Sequence, residues 1–114
     1  MKALFKELSV FESLREDYLD DEAFREFQQM LLENPTAGDV IKGTGGLRKV
    51  RFRDQGRGKG KRGGVRIIYY WFREGMQFWL FTIYDKDAVD DLTHKQRKML
   101  KALLEREVEA NGQA

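Results

Sequence analysis

Residues 65–84 read VRIIYYWFREGMQFWLFTIY, and the architecture can be built outward from them. Val65–Phe72 and Gln77–Tyr84 are dense in β-branched and aromatic residues, the types that suit a pleated, packed surface. Arg73-Glu74-Gly75-Met76 separates them, and a short glycine-containing link between two such runs predicts a β-hairpin. Both runs are apolar at successive positions, so they are expected near the centre of a sheet with cover on each face.

On the N-terminal side, Leu47–Arg53 (LRKVRFR) alternates: Val50 and Phe52 point to one face, and Lys49, Arg51 and Arg53 to the other. A glycine-rich loop over residues 55–64 joins this strand to the hairpin. Further upstream, Val10, Phe11, Leu14 and Tyr18 recur at helical spacing, with Ser9 placed as an N-cap. Phe24, Phe27, Met30 and Leu31 form a second helical face that begins at Asp20-Asp21-Glu22. It ends at Asn34-Pro35, because proline pushes the preceding residue out of the helical region. Lys2–Leu8 reads as a short edge strand and Thr36–Gly46 as a loop. On the C-terminal side, Asp85–Asp91 is an acidic loop. Thr93 then caps a last helix running to Ala110, with an apolar stripe of Leu92, Met99, Leu100, Leu103, Leu104 and Val108. The order β-α-α-β-β-β-α predicts an α+β domain with an antiparallel sheet packed against helices.

At 114 residues the chain is expected to form one domain, 1–114. No apolar run approaches the roughly 20 residues of a membrane span, and the N-terminus makes a poor signal peptide, so a cytoplasmic protein is expected. With no cysteine and one histidine, disulfides and thiol catalysis drop out, and neither a metal site nor a cofactor is expected. Gly43, Gly45 and Gly46 do not form a phosphate-binding loop pattern.

The net charge of +2 is unevenly spread: residues 1–39 carry −6, residues 40–66 carry +9 and residues 67–114 carry −1. Such local concentration implies an anionic partner. Residues 47–66 alone hold nine Lys or Arg against Asp54, which suits a polyphosphate backbone. Basic side chains and tyrosines are a sparse catalytic kit, yet a workable one for RNA cleavage. RNA carries its own nucleophile, the 2′-hydroxyl, and the protein must orient it, move protons and stabilise phosphorane charge. Lys49, Arg51 and Arg66 are the candidates for chemistry, because strands fix their geometry. Arg48, Arg53, Arg57, Lys59, Lys61 and Arg62 are the candidates for gripping RNA. Tyr69, Tyr70, Trp71 and Trp79 are expected to pack, with base stacking as the alternative.

Leu47-Arg48-Lys49-Val50-Arg51-Phe52, the glycine loop, and Gly64-Val65-Arg66-Ile67-Ile68-Tyr69-Tyr70 together resemble the core of the RelE/ParE superfamily of bacterial toxins. The loop GRGKGKRGG (56–64) and the run FWLFTIYDK (78–86) are similar to its HigB-like branch. The resemblance implies a RelE-like fold and the toxin of a type II toxin–antitoxin system, an mRNA interferase that cuts message in the ribosomal A site. It implies a cognate antitoxin, a helix-turn-helix DNA-binding protein, as partner. Carried over by position, Lys49 and Arg51 stand where the family has strand lysines, and Arg66 is the transition-state stabiliser. Lys86 stands near a second catalytic arginine. The family's C-terminal tyrosine has no direct counterpart, and Tyr84 or His94 is left to fill its role; a lone His at a helix start also suits ordinary surface chemistry. A non-catalytic RNA- or ribosome-binding module and a gyrase-inhibiting ParE-like toxin are the alternatives.

Overall fold

The computed structural model describes residues 1–53, 64–85 and 91–112. In chain order the elements are β1 (Leu4–Glu7), α1 (Ser9–Tyr18), α2 (Asp21–Glu33), β2 (Asp39–Val40), β3 (Arg48–Phe52), β4 (Val65–Phe72), β5 (Gln77–Asp85) and α3 (His94–Gly112). The expected hairpin is present as β4 and β5, joined by a 3-10 turn over Arg73–Gly75 that ends with Met76 in the left-handed region. The strands form one sheet in the order β1-β5-β4-β3-β2. β4 and β5 therefore sit at its centre, as their two-faced apolar character requires.

Three features depart from the sequence expectation. The sheet is mixed, because β1 runs parallel to β5 while the other pairs are antiparallel. More than half of the chain separates β1 from β5, so no turn dictates their relative direction and side-chain periodicity does not encode it. The 36–46 segment is not all loop: Asp39 and Val40 pair with Lys49 and Arg48 as β2. Two residues are too few to show a period. Gly38 permits this approach at φ +86°, where an added Cβ would lie 2.3 Å from the Lys49 carbonyl oxygen. Finally, Leu8 rather than Ser9 is the N-cap of α1, because the Leu8 amide still donates to the Leu80 carbonyl and the helix starts directly at the strand end.

The other helix boundaries follow from local chemistry. Asp20 caps α2, accepting from the Ala23 amide at 2.9 Å, and Asn34 closes it ahead of Pro35. Thr93 and Gln96 form a reciprocal capping box at the start of α3, with bonds of 3.1 and 2.9 Å.

The sheet is covered on both faces. α1 and α2 bury Phe11, Phe24, Phe27 and Leu31 against Val50, Ile67, Tyr69 and Leu80. α3 buries Leu100 and Leu104, with Leu92 just ahead of it, against Leu47, Ile68, Trp79 and Phe81. The stripe read on α3 is wider than this contact, since Met99 is 58% and Leu103 38% exposed. No helix among the described residues is long and apolar enough to cross a membrane.

Candidate functional site

A β-bulge builds the site. Val65–Ile68 pair with Asp85, Tyr84, Ile83 and Thr82, but Tyr69 pairs with Leu80, so Phe81 is an extra residue on β5. Strict alternation from Trp79 through Phe81 and Ile83 would have sent Tyr84 into the layer beneath α1 and α2. With the bulge, Phe81 stays on the α3 face, Ile83 joins the opposite core, and Tyr84 returns to the α3 face.

The register then sets three side chains in a row. Arg51 of β3 lies directly opposite Arg66 of β4, and Arg66 lies directly opposite Tyr84 of β5. Directly opposed residues share a face of the sheet. Lys49 lies two residues from Arg51, opposite Ile68, which is buried under α3. One face thus has an apolar half beneath α3 and a cationic half at the Arg66 end, where Arg51 is exposed and Arg66 half-buried.

Burial pushes the phenol of Tyr84 above its ordinary pKa of 10.0, with Arg66 acting to lower it and Asp91 to raise it. Tyr84 is therefore a neutral O–H donor at neutral pH. Asp91 also places its carboxylate 3.9 Å from the Lys49 ammonium while accepting from the Leu92 amide at 2.8 Å. The row with Lys49 and Asp91 combines cations to hold an oxyanion, a proton donor and a proton acceptor.

Sequence reasoning missed Asp91, because it stands at the end of a run read only as an acidic loop, Asp85–Asp91. The other candidates divide. Arg48 lies on the opposite face with Val50, where its Nη1 donates to the carbonyls of Thr36 at 3.0 Å and Gly38 at 3.3 Å, so it anchors a loop. Arg53 is exposed just beyond β3, and His94 is exposed at the start of α3. Arg57, Lys59, Lys61, Arg62 and Lys86 lie outside the described residues. The aromatics pack. Trp79 is fully buried and stacks on Phe72 with centroids 4.7 Å apart, and Trp71 stacks on Phe78 at 4.4 Å. Tyr69 donates to the Ala37 carbonyl at 2.6 Å and the Pro35 carbonyl at 3.1 Å.

No family model matches the chain. Among solved structures, it is similar to a double arginine-to-alanine variant of the Escherichia coli toxin RelE in the free state. The TM-score is 0.52 at 15% identity, and the match covers 79% of this chain and 90% of that one. The chain has a RelE-like fold. The likeness extends over most of both chains, although they differ at most positions.

Proposed function

We propose that this protein is the toxin of a type II toxin–antitoxin pair, a ribosome-dependent endoribonuclease of the HigB-like kind that cuts message in the A site. The observation that carries the proposal is the Arg51–Arg66–Tyr84 row, with Lys49 and Asp91 beside it. Arg66, at the centre of the row, binds two non-bridging phosphate oxygens through its planar fork and stabilises the charge of the phosphorane. Arg51 and Lys49 hold the same phosphate against the sheet. The 2′-oxygen attacks phosphorus and passes its proton to Asp91, and the 5′-oxygen leaves with a proton from Tyr84. The products are a 2′,3′-cyclic phosphate and a 5′-hydroxyl. The basic residues of the 55–64 loop, with Arg53, grip the flanking RNA. On this proposal the protein works in the cytoplasm, and its partner is a cognate helix-turn-helix antitoxin.

The test is to incubate purified protein with ribosomes carrying a defined message and to determine the chemistry of the new ends. The expected fragments end in 2′,3′-cyclic phosphate, and a 2′-deoxynucleotide at the cut position leaves the message intact. Cutting of the 2′-deoxy message would contradict the mechanism. Binding without cutting would make the protein an RNA-binding module, and breakage of DNA by gyrase would assign it to the ParE-like kind.

A further inference from the structure

β5 is nine residues long, but β1 pairs only with its first four, Gln77–Leu80. Beyond Leu80 no strand among the described residues pairs with that side of β5. The groove along this edge has a volume of about 430 Å³ and is floored by residues 81–84 of β5. Phe81 belongs to the layer under α3 and Ile83 to the layer under α1 and α2, so a groove reached by both wraps the edge of the strand rather than one face of the sheet. One lip is α1, with Val10 and Leu14; the other is α3, with Met99 and Leu103. Val10 is 50% exposed. Burial in the core therefore does not account for Val10, nor for Met99 and Leu103, the two that widened the α3 stripe beyond its contact.

The opposite side of the sheet shows how a strand edge is ordinarily protected. β3 also outruns its neighbour β2, and there the end of the strand carries Arg51, with Arg53 just beyond it. Charged side chains at an edge discourage pairing with another chain. Residues 81–84, Phe-Thr-Ile-Tyr, carry none, and the first charge on the free run of β5 is Asp85 at its end. An unpaired edge of four uncharged residues between two apolar lips is the geometry of strand addition, in which main-chain hydrogen bonds supply affinity and alternate side chains supply selectivity.

We infer that this groove accepts an extended segment of a partner protein as a sixth strand, with apolar residues turned to the α1 lip and acidic residues turned to the α3 lip. The charge preference comes from α3. Lys95, four residues before Met99, and Arg106, three after Leu103, continue the exposed stripe at its two ends, and residues 94–101 contain four Lys or Arg and no acid. Tyr84 belongs to both the groove and the arginine row, so a seated strand lies against the candidate site. The inference goes beyond the proposed nuclease activity and does not rest on it.

The experiment uses the full chain and a labelled alternating Val-Glu peptide of about ten residues. Its comparators are a Val-Lys peptide and a Val-Glu peptide N-methylated on the edge that would face β5. The Val-Glu peptide is expected to bind at least about tenfold more tightly than either comparator. It should slow exchange of the residue 81–85 amides that face away from β4. Met99→Glu, on an exposed position, should weaken binding by about tenfold with an unchanged circular dichroism spectrum, and Lys95→Glu should narrow the preference for Glu over Lys. Equal binding of the N-methylated peptide, equal binding of the Val-Lys peptide, no binding at all, or self-association of the protein that protects the same amides would each overturn the inference.

Discussion

Tyr84 and Tyr69 lie on neighbouring strands, and their surroundings give them different work. Tyr84 faces Arg66, and its raised pKa keeps the phenol protonated through neutral pH and beyond pH 10.0, the state a proton donor to a leaving oxygen needs. Tyr84→Phe is expected to slow RNA cleavage by roughly 10²–10⁴-fold. It should also remove the alkaline limb of the pH–rate profile while leaving RNA affinity within about twofold, because the ring stays and only the hydroxyl goes. Tyr69 faces the other way, into the α1–α2 core, where burial raises its pKa from 10.0 to about 12 against the opposing pull of Arg48. The folded state holds this proton more tightly than the unfolded state. The contribution of Tyr69 is therefore complete below about pH 10 and is lost as pH rises through about 12. Denaturant midpoints measured between pH 9 and 12 should fall more steeply for the wild type than for Tyr69→Phe. That variant starts about 1–3 kcal/mol lower because the Ala37 and Pro35 carbonyls lose their donor.

The elements differ in how far the sequence announced them, and the differences have physical causes. β4 and β5 were legible because β-branched and aromatic runs on both sides of a glycine turn leave few alternatives. α2 and α3 were legible from their caps. Thr93→Ala, which breaks the box with Gln96, is expected to cost about 0.5–2 kcal/mol in chemical denaturation without changing the helix content of the native protein. β2 was not legible, because two residues have no period and their pairing depends on Gly38 passing against the Lys49 carbonyl. The direction of β1 was not legible either, since local pattern does not record which way a distant strand runs. The candidate site was half visible. Lys49, Arg51 and Arg66 could be placed on strands by alternation, but the bulge at Phe81 that brings Tyr84 into their row is a defect in periodicity, visible only once β4 and β5 are paired. Arg48, grouped by composition with its basic neighbours, is separated from Lys49 and Arg51 by that same alternation and serves the loop at Thr36.

At the scale of the whole molecule, the sheet has helices on both faces, but the cover is uneven. α1 and α2 close one face around a continuous apolar core, whereas α3 closes the apolar half of the other and leaves the Arg66 end accessible. Lys49, Arg51 and Arg66 are thereby presented on one face of the sheet, an arrangement suited to a phosphate backbone. The central claim is that this face cleaves RNA through Arg66, and cleavage of ribosome-bound message by the wild type and by Arg66→Ala, with RNA binding measured in parallel, tests it most directly. The proposal predicts that wild type cuts the message and that Arg66→Ala, still folded and still bound, cuts it about 10²–10³-fold more slowly. Undiminished cleavage by folded Arg66→Ala would contradict the claim.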